Sequence, residues 1–194
     1  MAVDRLAPRQ VATPPAYFAE LAAGSSHTCG LTGAAVYCWG NNGSGQLGLS
    51  GTSQELRPTT WVGGLPSAIQ ITAGGQHACA LVLTGQVYCW GANGSGQLSD
   101  GTTGGSRSTP APVAGDLHFV QVSAGNLHTC GITRDRKAYC WGFNTAGQLG
   151  DGSYQNRSVP RRWFRFPNNK IKLLISSVSP VKGDPKSNGV TTLR

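Results

Sequence analysis

A chain of 194 residues with 28 glycines, 11 prolines and one methionine holds too many turn formers for a helical protein, while 39% apolar residues suffice for a core and exclude wholesale disorder. The formal charge of +8 is concentrated: residues 161–194 hold eight Lys/Arg against Asp184 alone, so residues 1–160 carry eight basic and seven acidic side chains. That near-neutral part argues against a nucleic-acid surface, and no run of about 18 apolar residues exists to span a membrane.

Residues 1–16 have arginines and prolines where a signal peptide needs an apolar run of about 7 to 15 residues, so no export signal is visible. Pro8 stands where an upstream unit would end, and residues 1–22 are expected to hold that end and the first strand of the next unit. From residue 23 the chain repeats itself, and a period of about 20 to 50 residues decides the architecture. The first unit, residues 23–72, opens with Ala23-Gly24-Ser25-Ser26-His27-Thr28-Cys29. It continues with Tyr37-Cys38-Trp39-Gly40, then Asn42, Gly45, Gln46 and Leu47, and closes at Pro58. The second, residues 73–123, runs Ala73-Gly74-Gly75-Gln76-His77-Ala78-Cys79, Tyr88-Cys89-Trp90-Gly91, Asn93, Gly96, Gln97, Leu98 and Pro110. The third, residues 124–160 and incomplete, runs Ala124-Gly125-Asn126-Leu127-His128-Thr129-Cys130, Tyr139-Cys140-Trp141-Gly142, Asn144, Gly147, Gln148, Leu149 and Pro160. Residues 161–194 contain no histidine, cysteine or Gln-Leu pair. They read either as a frameshift, read-through or misjoined gene end, or as a genuine basic appendage, and are expected to pack poorly on the blades and to be dispensable for stability.

These motifs resemble the regulator-of-chromosome-condensation repeat, and the cysteine-containing form is similar to that of secreted or surface bacterial members. The resemblance covers residues 8–160. It implies an all-β fold, a partial β-propeller of about three four-stranded blades, where family members usually have seven. Three blades leave apolar blade faces exposed at both ends, so the chain is expected to be a fragment.

Strand-turn-strand patterns agree with this, because β-rich runs such as Val87-Tyr88-Cys89-Trp90 flank short polar loops. Equal numbering on either side of the turn opposes Cys79 to Cys89 and leaves the loop Leu83-Thr84-Gly85, with glycine where a left-handed residue is needed. Opposing Cys29 to Cys38 leaves Gly33-Ala34, suited to a type II′ turn. In the third unit, which opposes Cys130 to Cys140, Arg136 replaces the expected turn glycine.

The six cysteines admit several chemistries. Opposed residues in a hairpin lie about 4.5 to 5.5 Å apart at Cα, within the roughly 4.4 to 6.8 Å that a disulfide spans, so three disulfides within blades are expected. His27, Cys29 and Cys38 also form a cluster open to metal, since residues i and i+2 share a strand face, but a structural zinc site needs four ligands and no fourth recurs. Free buried thiols are the remaining option. A Cys-His nucleophile pair would be repeated three times, whereas catalytic sites are usually single. His27, His77 and His128 are therefore read as structural, no enzyme activity is expected and no cofactor is implied. Gly43-Ser44-Gly45-Gln46-Leu47-Gly48 matches G-x-G-x-x-G formally, but that fingerprint needs a following helix and here a turn-like stretch follows. Asn42, Asn93 and Asn156 head formal glycosylation sequons.

Positions identical in all units carry the frame: the three histidines, Trp39, Trp90, Trp141, Gly40, Gly91, Gly142, Asn42, Asn93, Asn144, Gln46, Gln97, Gln148, Leu47, Leu98 and Leu149. Positions that differ can carry a partner-specific surface. These are 25–26, 75–76 and 126–127; Asn41, Ala92 and Phe143; and 53–55, 104–106 and 154–156, with Phe143, Tyr154, Gln155 and Asn156 as binding candidates. The function expected is a non-enzymatic binding or scaffold module for a protein or other macromolecule, extracellular, cell-surface or periplasmic. The alternatives are a guanine-nucleotide-exchange or chromatin-binding regulator, as the nuclear members suggest, and a secreted enzyme inhibitor, an analogy from fold.

Overall fold

Glycine-punctuated runs of β-formers become twelve strands in three sheets. A computed structural model describes residues 17–162 together with Ala7, Gln10 and Val11. Pro8 and residues 163–194, where a unit end and most of the basic tail were read, lie outside the described residues.

The first sheet is β1 (Glu20–Ala23), β2 (His27–Thr32), β3 (Ala35–Asn41) and β4 (Gln54–Glu55). The second is β5 (Ala68–Ala73), β6 (His77–Val82), β7 (Val87–Ala92) and β8 (Ser106–Pro112). The third is β9 (Phe119–Ala124), β10 (His128–Thr133), β11 (Ala138–Gly142) and β12 (Arg157–Arg162). Each is an antiparallel meander with strands in chain order, the four-stranded blade of a propeller, and no helix occurs among the described residues. Units cut at Ala23, Ala73 and Ala124 begin at the end of each first strand, so the sequence unit and the blade are out of phase by one strand. β12 runs through Arg161 and Arg162, across the limit drawn at residue 160.

The middle blade explains the burial. Every residue of β6 is buried, because that strand has a blade against each face, whereas β2 and β10 are only partly covered. Cores form between sheets. Cys29, Leu31, Val36, Cys38, Leu47 and Val62 of the first blade pack on Ala68, Ile71 and Trp90 of the second. Cys79, Leu81, Val87, Cys89 and Leu98 of the second repeat that packing on Phe119, Val122 and Trp141 of the third.

The hairpins follow the turn chemistry. Gly33 has φ +57° and Ala34 is not left-handed, as a type II′ turn requires, and Gly85 takes φ +91°. Arg136 adopts the left-handed conformation at φ +60° without glycine, so the third hairpin keeps the geometry of the second. Pro110 and Pro160 sit in the outer strands β8 and β12, where an edge tolerates a missing amide.

Candidate interaction surface

The cysteine pairs stand directly opposed in the inner hairpins, Cys29 with Cys38, Cys79 with Cys89 and Cys130 with Cys140, each joined as a disulfide with Cα atoms 4.1 Å apart. No free cysteine and no cluster of three potential metal ligands occurs among the described residues.

The other constant residues tie blade to blade or loop to strand. Trp90 Nε1 donates to the Gln46 carbonyl of the preceding blade at 3.0 Å, and Trp141 Nε1 to that of Gln97 at 2.9 Å. Trp39, in the first described blade, lies half-buried against Phe18, with ring centroids 5.6 Å apart. Asn42, Asn93 and Asn144 brace their loops from the middle: each accepts the amide of Leu47, Leu98 or Leu149 and donates across the loop. Asn42 and Asn93 are buried and bonded at both ends, so the sequons they head are closed to glycosylation in the folded chain. Gln46, Gln97 and Gln148 accept the amide two residues before them.

The histidines form a column along the inner ends of the blades. A Cβ at Gly74 would overlap both the His77 ring and the Gly125 carbonyl of the next blade, which is why Ala-Gly recurs before each histidine. Thr129 gives its hydroxyl hydrogen to the Gln97 carbonyl, so it accepts from His77 Nε2 at 2.9 Å. Ala78 occupies the Thr129 position one blade earlier, and both ring nitrogens of His27 are buried without a partner. Burial lowers the pKa of His27 and His128 below 6.5; that of His77, buried deepest and flanked by the other two, falls to about 3. These imidazoles are neutral at pH 7 and sit at the blade junctions.

One brace was not read from the sequence. Asp100 pairs with Arg107 at 3.0 Å and Asp151 with Arg157 at 2.6 Å, while the first blade has Leu49 and Glu55 at these places. Burial works to raise the Asp151 pKa, but the Ser153 hydroxyl, Arg157 and the Ser153 amide outweigh it and bring it to about 2. The signal was present: Asp-Gly recurs at 100–101 and 151–152, each followed by an arginine.

The structure gathers the variable positions. In the third blade the Phe143 amide donates to the Leu127 carbonyl and the Asn144 amide to Asn156 Oδ1. In the second, Ala92 bonds Gln76 and Asn93 bonds Gly105; in the first, Asn41 bonds Ser26 and Asn42 bonds Ser53. The three variable places of each blade thus form one patch, and neighbouring patches join through Ser25 to Gly75 and Gly75 to Asn126. Tyr154 is 75% exposed, Gln155 is exposed and Phe143 is half-buried. Asn156 belongs partly to the frame, since its side chain replaces the backbone carbonyl that caps the same amide in the other blades.

Two descriptions of the regulator of chromosome condensation (RCC1) repeat match the chain, one at residues 18–46, 68–97 and 119–148, the other at 34–81, 84–132 and 137–177. The chain belongs to the RCC1 repeat family. The two descriptions differ in phase, as the offset between unit and blade requires, and the second runs past the last described strand. Similar relatives include the RCC1 domain-containing protein RUG3, mitochondrial, of Arabidopsis thaliana, 31% identical over 82% of this chain and 38% of its own. Human RCC1 domain-containing protein 1 is 30% identical over 83% of this chain and 54% of its own. The chain therefore spans about half or less of these relatives. The crystal structure of Prp20p from Saccharomyces cerevisiae, 22% identical, superposes with a TM-score of 0.70 over 78% of this chain and 39% of that one, and shows the shared RCC1 propeller fold.

Proposed function

We propose that the chain is a non-enzymatic protein-interaction module that presents the joined variable patches of its blades to a macromolecular partner outside the reducing cytoplasm. The observation that carries this is the convergence of the variable loop positions of each unit onto one contiguous rim, while the constant residues are occupied within the frame. Binding residues concentrate on loops held by rigid scaffolds. Prp20p, a protein of this fold, has binding properties toward Gsp1p and histones, which supports the fold as a carrier of protein-binding surfaces. Three cysteine pairs at bonding positions favour an oxidising compartment, extracellular, cell-surface or periplasmic, and no helix among the described residues is long and apolar enough to cross a membrane.

The test is an exchange of Phe143, Tyr154 and Gln155 for the second-blade residues Ala, Gly and Gly, with Asn156 retained for its frame contact. Partner capture should weaken while the far-ultraviolet spectrum stays unchanged. Undiminished capture would reject the rim. A catalytic turnover lost on replacing His77 would reject the module reading altogether.

A further inference from the structure

The fold treats the side-chain amides of the three Asn-x-Ser sequons, headed by Asn42, Asn93 and Asn156, in opposite ways. Asn42 and Asn93 are 6% and 2% exposed, and each spends its Nδ2 hydrogens inside its own loop. Asn42 donates to the Leu49 and Thr52 carbonyls at 2.8 and 2.9 Å. Asn93 donates to Asp100 Oδ1 at 3.1 Å and to the Thr102 carbonyl at 3.3 Å. A side-chain amide has two such hydrogens, and an N-linked sugar replaces one of them with a bulky polar group. Either sequon could carry a glycan only by giving up its loop.

Asn156 is arranged the other way round. Its side chain is exposed, and its contact with the frame is made by accepting: Oδ1 takes the Asn144 amide at 2.8 Å, while Nδ2 meets no acceptor among the described residues. A glycosylated asparagine keeps its carbonyl oxygen, so the cap on Asn144 survives the modification. The exposure belongs to this place in the blade. The counterparts Ser53 and Gly105, whose carbonyls take the Asn42 and Asn93 amides, are exposed as well, and Gly105 stands in the blade with a neighbour on each side. Tyr154 and Gln155 beside it are open to solvent. Ser158 bonds the second blade through its carbonyl, which takes the Gly101 amide at 3.0 Å, and not through its hydroxyl.

We propose that Asn156 is an N-glycosylation site of this chain and that Asn42 and Asn93 are not. The donor is an oligosaccharide carried on a lipid pyrophosphate. Asn156 Nδ2 attacks the sugar C1, the N–C1 bond forms, the C1–O bond to pyrophosphate breaks, and the lipid pyrophosphate leaves as one Nδ2 proton passes to solvent. In the folded blade Arg157 is held by Asp151 and Ser158 lies in β12, so transfer precedes the pairing of that strand. Folding then accepts a chain modified at Asn156 and rejects one modified at Asn42 or Asn93. The inference rests on the extracytoplasmic part of the reading above, because such transfer takes place on the export route, where cysteine pairs also form.

The test sends the full chain through the secretory route of a eukaryotic cell behind an added leader and maps glycopeptides of the folded product by mass. One glycan is expected, on Asn156, with Asn42 and Asn93 bare. Ser158→Ala removes the hydroxyl that the sequon requires and leaves the Asn156 cap, so the glycan should be lost with the urea midpoint unchanged. Asn156→Gln should lose it too. A bare Asn156 in folded and fully oxidised protein would overturn the site, as would a glycan on Asn42 or Asn93 in that fraction. So would a urea midpoint of the glycosylated chain well below that of Ser158→Ala. Thiol labelling of the same sample separates the two readings: free cysteines overturn the compartment and the site with it, whereas three intact bridges beside a bare Asn156 count against the site alone.

Discussion

His77 in the second blade donates through Nε2 to the hydroxyl of Thr129 in the third at 2.9 Å, in a site closed to water, while His27, one blade earlier, faces Ala78 and has nothing to bond. One position therefore separates a junction with one bonded ring nitrogen from a junction with none, since His77 Nδ1 is also buried without a partner. Thr129→Ala should cost about 1 to 2 kcal/mol in urea unfolding, since it orphans a buried ring nitrogen. Ala78→Thr should recover part of that amount at the first junction, on the order of 1 kcal/mol.

The same column makes the fold acid-sensitive. With a folded pKa of about 3 against 6.5 unfolded, His77 takes up its proton only when the chain opens, so its contribution is complete above pH 6.5 and is lost as pH falls toward 3. The slope from His77 alone is about 1.4 kcal/mol per pH unit, and His27 and His128 act in the same direction. Asp151, held near 2, adds a further loss only below the ordinary carboxylate range. Urea midpoints measured from pH 7 to pH 4 should decline throughout, and the decline should flatten in His77→Gln.

Ser99 is left-handed at φ +57° where Gly48 and Gly150 stand in the other blades, and its buried hydroxyl has no partner. Ser99→Gly removes the backbone strain and the unpaired hydroxyl together, so thermal unfolding should rise by an equivalent of about 1 to 2 kcal/mol. Arg136→Gly relieves the backbone strain alone, at an exposed turn, and should gain less.

The bridges should differ in reactivity by place. Both sulfurs of Cys79–Cys89 lie under a neighbouring blade, as do those of Cys29–Cys38, but Cys130–Cys140 lines an open hollow beside Gln121 and Ile132. Limiting reductant on dilute protein, followed by thiol labelling and mass mapping, should find Cys130 and Cys140 first. Because each bridge closes a loop of only 9 or 10 residues, losing one should cost about 2 kcal/mol or less.

The hairpins, the cysteine pairing and the blade class were legible in the residues themselves. Turn glycines and a period of two fix strand register locally, and three copies of one pattern repeat that local information. Arg136 shows its limit: the glycine rule fails there, yet the hydrogen bonds that close the third hairpin hold arginine in the left-handed turn. What faces what between blades was not legible, because it depends on which side of each sheet meets the next. Only the tertiary structure placed the Cys29–Cys38 and Cys79–Cys89 bridges inside the blade junctions, gave His77 its threonine and denied one to His27, paired Asp100 with Arg107, and turned Asn156 toward the frame. It also joined the scattered variable positions into one rim, since Leu127 and Asn156 meet the Phe143–Asn144 pair only through hydrogen bonds of the folded blade.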